Sequence, residues 1–152
     1  MTPDAGSRAE RPLGKVVVGV DGSENSLRAL RWAARQAVST DVPLAAVTAW
    51  TFPEEPAPLG IEINVPLQDE LMEQARTKLG QIVAQVVPEA SRARMSTKVI
   101  RGHPAKVLLE ETTPDDLLVV GSRGRGTFEK LLFGSVCDHC VRHASCSVVV
   151  VR

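Results

Sequence analysis

The chain has 152 residues, of which 43% are apolar, so it is large enough for one ordinary domain with a buried core. Its 18 basic and 18 acidic residues leave no net charge, which removes the electrostatic reason to expect DNA, RNA or an anionic membrane as a partner. There is no apolar stretch long enough to span a membrane, and the polar first 14 residues lack the apolar core of a signal peptide. We therefore expect a cytoplasmic protein with a disordered tail (residues 1–14) and a single domain (residues 15–152).

The first half of the domain alternates between apolar strands and an amphipathic helix. Residues 15–21 are almost without polar side chains, which is typical of a strand covered by helices on both faces. Apolar residues then recur every three or four positions, and Ser23 is placed to cap the helix that carries them. This apolar stripe consists of Leu27, Leu30, Ala34, Ala37 and Val38. Residues 44–50 predict a second strand, and the proline-rich residues 51–65 predict a loop.

The second half repeats the alternation. The longest predicted helix has Pro66 in its first turn and Pro88 just past its end. Its apolar stripe consists of Leu67, Leu71, Ala75, Leu79, Ile82 and Val86. Residues 93–101 predict a third strand, residues 104–111 a short helix, and residues 117–120 a buried fourth strand; a last helix and a run of valines follow. Five strands alternating with helices predict an α/β fold with an open parallel sheet wound on both faces.

A glycine-rich turn connects the fourth strand to the last helix. Gly121, Gly124, Gly134 and Ser135 form the pattern G-x2-G-x9-G-S. Glycine lets the backbone approach a ligand and take positive φ, and the first turn of a helix offers unpaired N–H groups and the positive end of its dipole. An anion such as phosphate is the natural occupant. The P-loop pattern G-x4-G-K-[ST] is absent, and the glycines lack the G-x-G-x-x-G order of dinucleotide-binding folds.

The full pattern resembles the nucleotide-binding signature of the universal stress protein family, in its ATP-binding branch. Residues 16–23 are similar to that family's first strand and turn, and residues 145–151 to its last strand, so the similarity covers about nine tenths of the chain. The resemblance implies a Rossmann-like, five-stranded sheet in the order 3-2-1-4-5 with about four helices. In that order the winding reverses between strands 1 and 4, and such sheets bind ligands at the carboxyl ends of the two strands.

The predicted nucleotide site combines the turns after strands 1 and 4. Its residues are Gly19, Val20, Asp21, Ala49, Val120, Gly121, Arg123, Gly124, Gly134, Ser135 and Val136. Asp21 can accept hydrogen bonds from a ribose or help hold a phosphate-bound metal ion, or it can merely cap its turn. Ser135 suits both a helix cap and a phosphate donor, and Arg123 adds positive charge. By the resemblance, the backbone of Ala49 faces the adenine, and the ligand is ATP; a companion Mg²⁺ or Mn²⁺ is left open.

Cysteine and histidine residues near the C-terminus suggest a zinc site, which we reject. The C-x2-C pair Cys137 and Cys140 lies close to His139, His143 and Cys146, but a second cysteine pair is absent. At helical spacing, the first two cysteines fall in an apolar stripe. The other members of that stripe are Val136, Val141 and Ala144. We therefore expect reduced, buried thiols and no protein-bound metal site.

Three functions are compatible with this sequence. The motif favours an ATP-binding regulatory protein of the stress response. A slow ATP hydrolase is an alternative. Asp21 alone does not supply the base, the cationic phosphate contact and the metal ligands that phosphoryl transfer needs, so we predict no catalytic residue. A nucleotide-free scaffold is the third possibility. It would be favoured if bulky residues replaced the motif glycines, but all of these glycines are present. Residues 148–151 are four consecutive valines on a predicted edge strand, so we also expect a homodimer through the C-terminal strand, as the resemblance implies.

Overall fold

The structure, a computed structural model, describes residues 11–51, 65–124 and 133–152. The strands are β1 (Val16–Gly19), β2 (Leu44–Trp50), β3 (Met95–Arg101), β4 (Leu117–Gly121) and β5 (Ser147–Val151). The helices are α1 (Glu24–Thr40), α2 (Val65–Val86), α3 (Pro104–Glu110) and α4 (Ser135–His143), with a 3₁₀ turn at Glu89–Ser91. All neighbouring strands are parallel, and their order is β3-β2-β1-β4-β5. The predicted α/β class and strand order are confirmed.

Strand β1 lies at the centre of the sheet, and its side chains supply both halves of the core. Val17 is aligned with Ala45 of β2 on one side and with Leu118 of β4 on the other. Because successive side chains of a strand point to opposite faces, Val16 and Val18 pack under α1 and α2, whereas Val17 packs under α3 and α4. A strand that is apolar at every position is therefore needed here, as its sequence indicates.

Several element boundaries and buried positions differ from the prediction. Strand β1 ends at Gly19 instead of residue 21, β3 begins at Met95 instead of residue 93, and α3 ends at Glu110. The prediction that Val38 belongs to the buried face of α1 is wrong, since 59% of it is exposed. The buried face of α1 is instead made mostly of small residues, which let the helix lie close to the sheet. They are Ser26, Ala29, Leu30, Ala33, Ala34 and Ala37.

The chain before β1 contacts the domain at its last residues. Of the predicted tail, residues 1–10 lie outside the described residues. Leu13 packs against the core, and the backbone N–H of Gly14 donates to the Asp115 carbonyl oxygen at 2.9 Å. The next residue is also tied to the domain, because the N–H of Lys15 donates to the buried carboxylate of Asp116 at 3.1 Å.

Of the predicted loop over residues 51–65, residues 52–64 lie outside the described part of the chain. None of the helices in the described residues has the length and apolar character that crossing a membrane requires.

Candidate functional site

A cavity of about 290 Å³ lies at the carboxyl ends of β1 and β4, where the winding of the sheet reverses. All eleven residues predicted for the nucleotide site line it. They are Gly19, Val20, Asp21, Ala49, Val120, Gly121, Arg123, Gly124, Gly134, Ser135 and Val136. Four separate segments of the chain supply these residues, and the parallel sheet brings the segments to a single edge.

The turn after β1 is held by its own side chains. The Asp21 carboxylate accepts a hydrogen bond from the backbone N–H of Ser23 at 2.9 Å. The Ser23 hydroxyl in turn accepts from the N–H of Ser26 at 3.3 Å, which caps α1 as predicted. Gly22 lies between them with φ of 83°, in the region that glycine adopts without strain. Asp21 therefore does cap its turn, and its second carboxylate oxygen lies on the side of Gly124.

The turn after β4 uses glycine for space. A Cβ atom on Gly121 would lie 2.8 Å from the backbone carbonyl carbon of Asn25, and one on Gly124 would lie 2.6 Å from Oδ2 of Asp21. In the described residues, the glycines with positive φ are Gly22 and Gly102. Gly121 and Gly124 therefore do not use the positive φ that glycine permits. These two glycines allow the β4 turn to lie directly against α1 and the β1 turn.

Helix α4 begins at the cavity. Gly134 occupies the capping position and Ser135 is the first helical residue, so the prediction that Ser135 caps the helix is wrong. Glycine has no side chain, so the capping residue itself accepts no hydrogen bond from the N–H groups of the first turn. The N–H of Gly134 itself donates to the Ser122 carbonyl oxygen at 2.7 Å, which joins the two ends of the predicted phosphate loop. The middle of that loop, residues 125–132, lies outside the described residues.

The remaining wall of the cavity is largely apolar. Among the described residues that line it, the charged side chains are those of Asp21 and Arg123, and no aromatic side chain contributes. Five lining residues were not predicted from the sequence: Ser26, Val47, Pro104, Leu108 and Cys137. Cys137 follows the predicted site residue Val136 on α4, and Ser26, on α1, accepts a hydrogen bond from the predicted site residue Asp21. Leu108 had no local signal, because it reaches the cavity only through the packing of α3 against Gly19.

The thiols of α4 are buried against the sheet. Cys137 and Cys140 are 3% and 0% exposed and pack with Val17, Leu118 and Val120, as their helical spacing predicts. Burial raises the pKa of Cys137, with a smaller effect from Asp138, and burial also raises the pKa of Cys140 to about 11. Both thiols are therefore protonated near neutral pH.

Two further predictions concern α4 and its neighbours. Val141, which we placed in the buried stripe, is 50% exposed, so that prediction is wrong. Helix α4 buries only a narrow strip, because it lies over the edge of the sheet beside β5.

In the part of the chain that the structure describes, no group of three or more His, Cys, Asp or Glu side chains is arranged to hold a metal ion.

Comparison with known proteins agrees with the fold and the motif. The model of the universal stress protein family matches residues 12–152. The chain belongs to the universal stress protein family. A universal stress protein of Mycolicibacterium smegmatis is 34% identical over 137 residues, which are 90% of this chain and 45% of that protein. The chain spans about half the length of the curated relatives it matches.

Solved universal stress proteins share the whole architecture. UspA from Lactobacillus plantarum superposes with a TM-score of 0.71 at 23% identity, covering 93% of this chain and 99% of that one. A universal stress protein in complex with cAMP superposes with a TM-score of 0.62 at 26% identity, covering 93% of this chain and 98% of that one. The fold of this universal stress protein is thus that of single-domain members of the family.

Proposed function

We propose that this universal stress protein binds adenine nucleotide, with ATP as the principal ligand, in the cavity between β1 and β4. The observation that carries the proposal is the convergence of four sequence segments on one cavity at the point where the sheet reverses its winding. In open α/β sheets this crevice is where ligands bind. The volume of about 290 Å³ is close to the lower end of small-molecule sites, about 300–1,000 Å³.

The chemistry of the cavity fits a nucleotide at both ends. The first turn of α4, at Ser135 and Val136, lines the cavity without a side-chain cap and therefore offers N–H groups and a positive dipole end to phosphate. Arg123, which also lines the cavity, adds a guanidinium. Toward β2, the wall is formed by Val47, Ala49 and other aliphatic groups, which suit an adenine ring held by its faces and by backbone groups.

A relative supports the ligand class. The solved universal stress protein that is 26% identical to this chain was crystallised in complex with cAMP. That ligand shares adenine, ribose and a phosphate group with ATP. The proposed site in this chain offers a partner for each part: aliphatic walls, the Asp21 carboxylate and the start of α4.

We propose that the nucleotide acts as a bound regulatory signal and is not a fast substrate. Phosphoryl transfer needs a positioned base, cationic phosphate contacts and acidic metal ligands. Among the described residues that line the cavity, Asp21 is the single carboxylate. We expect any hydrolysis of ATP, with either Mg²⁺ or Mn²⁺, to be far below the enzyme median of about 10 per second. Turnover near that median in a phosphate-release assay would refute the regulatory role.

The binding proposal is tested by comparing two glycine variants of the full chain. Gly124→Val places a branched side chain against the Asp21 carboxylate and into the space beside it. We expect calorimetry to give at least about tenfold weaker ATP binding, equivalent to about 1.4 kcal/mol. Gly80→Val is the matched control, since a Cβ at Gly80 on α2 meets no atom within 4 Å.

The two variants separate a local effect from a general one. Equal ATP affinity in wild type and the Gly124 variant, or equal losses in both variants, would contradict the site assignment. Identification by mass of the nucleotide that copurifies with the wild-type protein distinguishes ATP from ADP, AMP and cAMP. Repeating the titration with Mg²⁺, with Mn²⁺ and with a chelator tests the need for a metal ion.

We also propose that two copies of the protein pair through β5. This strand is at the edge of the sheet, beside β4, and its four valines, Val148–Val151, are only partly buried in the single chain. An edge strand presents unpaired N–H and C=O groups, and here they lie beside apolar side chains. A second copy related by a twofold axis can add its own β5 in antiparallel orientation, which gives a symmetric interface.

The pairing is tested with a single proline on the outer edge of β5. The Val151 carbonyl accepts from the N–H of Ser122, so Val151 faces β4, and by alternation the N–H of Val150 faces outward. Val150→Pro should remove an outward donor while keeping the bonds to β4, and light scattering should show a monomer with native circular dichroism. Deleting residues 148–152 should give monomer or aggregate. A monomeric wild type at micromolar concentration would contradict the proposal.

A further inference from the structure

The peptide group between Val20 and Asp21 is held on both sides by hydroxyl groups. The hydroxyl of Thr48, on β2, donates to the Val20 carbonyl oxygen at 2.8 Å. On the opposite side, the N–H of Asp21 donates to the hydroxyl oxygen of Ser26, on α1, at 3.3 Å. No cis peptide bond occurs in the described residues, so these C=O and N–H groups point in opposite directions. Rotation of this peptide plane therefore breaks both bonds.

The donor and acceptor roles of the two hydroxyls are fixed by the surrounding structure. Ser26 is 4% exposed, and its own hydroxyl proton is donated to the Ser23 carbonyl oxygen at 2.9 Å. Its oxygen is thereby oriented to accept from Asp21. Thr48 must donate, because the Val20 carbonyl can only accept. Each hydroxyl thus has a defined partner in a partly buried setting.

The peptide held by the two hydroxyls directly precedes the Cα that carries the Asp21 carboxylate. One carboxylate oxygen accepts from the N–H of Ser23 at 2.9 Å, and the other lies beside the Cα of Gly124, so that a Cβ there would meet it at 2.6 Å. The carboxylate consequently lies between the β1 turn and the β4 turn. Loss of the two hydroxyl contacts would loosen the backbone at the Cα that carries this carboxylate. Thr48 itself does not line the cavity, although its neighbour Ala49 does.

We propose that Thr48 and Ser26 are positioning residues of the nucleotide site. By holding the peptide before Asp21, they present its carboxylate to the ribose of the ligand or to a metal ion on its phosphates. This inference rests on the proposed nucleotide binding and assigns two further residues to it. If the hydroxyls served only the stability of the sheet, their removal would weaken binding equally whether or not Asp21 is present.

The test is a double-mutant cycle on the full chain, with ATP as the probe and calorimetry as the readout. Thr48→Val removes the hydroxyl at nearly constant volume and should weaken ATP binding about 3- to 10-fold, the range expected for one hydrogen bond. Thr48→Ser retains the hydroxyl and should restore binding to within about twofold of wild type. In an Asp21→Ala background, Thr48→Val should change the affinity by less than about twofold. Thr97→Val, at an exposed position of β3, is the matched control.

Each outcome has a defined consequence. Wild-type affinity in Thr48→Val, or the same loss with and without Asp21, would overturn the positioning role while leaving nucleotide binding intact. Absence of ATP binding in the wild type would overturn the proposed function and the positioning role together. If Thr48→Val does not fold, the same cycle with Ser26→Ala and Asp21→Ala decides. Ser26→Ala should also accelerate hydrogen exchange of the Asp21 amide, and unchanged exchange would contradict the hydrogen bond to Ser26.

Discussion

The two turns that form the site both contain glycine, but for different physical reasons. In the turn after β1, Gly22 has φ of 83°, a conformation that disfavours any residue with a Cβ. In the turn after β4, Gly121 does not have positive φ; a Cβ there would instead lie 2.8 Å from the backbone of Asn25. One turn is therefore determined by local backbone conformation, and the other by a tertiary contact with α1.

The two turns also differ in how they are stabilised. The β1 turn is closed by hydrogen bonds within six residues, from Asp21 to Ser26. The β4 turn is closed by bonds to distant parts of the chain: the N–H of Ser122 donates to Val151 of β5, and its carbonyl accepts from Gly134. Substitutions in the first turn should have limited effects on stability, whereas substitutions in the second should affect the packing of several elements.

The largest effect on stability is expected for Gly121→Ala. The atom that the new Cβ would meet belongs to the backbone of α1, which cannot move without shifting the helix. We expect a loss of about 3 kcal/mol in the free energy of unfolding, measured by urea denaturation. Gly80→Ala, in open space on α2, should instead stabilise by about 0.5–1 kcal/mol. Equal stability of wild type and the Gly121 variant would show that the β4 turn does not depend on this contact.

The second largest effect is a pH dependence of stability that arises from Cys140 on α4, the helix that follows the β4 turn. Burial raises the pKa of Cys140 from 9.0 to about 11, so the folded protein holds the thiol proton more tightly than the unfolded chain does. The resulting stability is fully present below pH 9 and is lost as the pH rises through about 11. The loss is on the order of 2 kcal/mol.

This pH effect is measured as a difference between two proteins, because other groups titrate in the same range. The unfolding free energy of wild type should fall more steeply from pH 9 to pH 11 than that of Cys140→Ala. Parallel pH profiles would show that burial does not raise the pKa of the Cys140 thiol.

A smaller effect is expected for Gly22→Ala in the β1 turn. A residue with a Cβ is destabilised by about 1 kcal/mol in the left-handed region, and asparagine is destabilised less. Thermal or urea unfolding should therefore rank wild type above Gly22→Asn, and Gly22→Asn above Gly22→Ala. If alanine were as stable as glycine here, the turn would have to adopt another conformation, and the contrast between the two turns would fail.

The smallest effect on stability is expected for Gly124→Ala. Its Cβ would meet the end of the Asp21 side chain, which can rotate away, so the unfolding free energy should change by no more than about 0.5 kcal/mol. The displaced carboxylate should nevertheless weaken ATP binding. A large loss of stability with normal binding would reverse our assignment of Gly124 to the site and indicate a purely structural role.

The two edge strands of the sheet, β3 and β5, differ in the residues they carry. The strand order implied by the resemblance predicted that the valine-rich β5 lies at the edge of the sheet, and the structure places it there, beside β4. The opposite edge, β3, carries the exposed residues Ser96, Thr97 and Lys98, and its lysine pairs with Glu111 at 2.8 Å. The two edges therefore differ in composition, since β5 carries valines and β3 carries exposed polar residues. The role of β5 in pairing stays a prediction.

The sequence by itself determined the order of strands and helices along the chain, and its motifs together with the family resemblance predicted which residues would meet at one site. Apolar runs, helical spacing and the glycine pattern are local properties, and parallel strands bring their carboxyl ends to one edge; all eleven predicted residues accordingly line one cavity. The tertiary structure decided what no local pattern encodes: the exposure of Val38 and Val141, the place of Leu108 in the wall, and the contact of Gly121 with α1. It also decided that the Thr48 hydroxyl on β2 would meet the carbonyl oxygen of Val20, 28 residues earlier in the chain, because such contacts depend on how packed elements are aligned across the sheet.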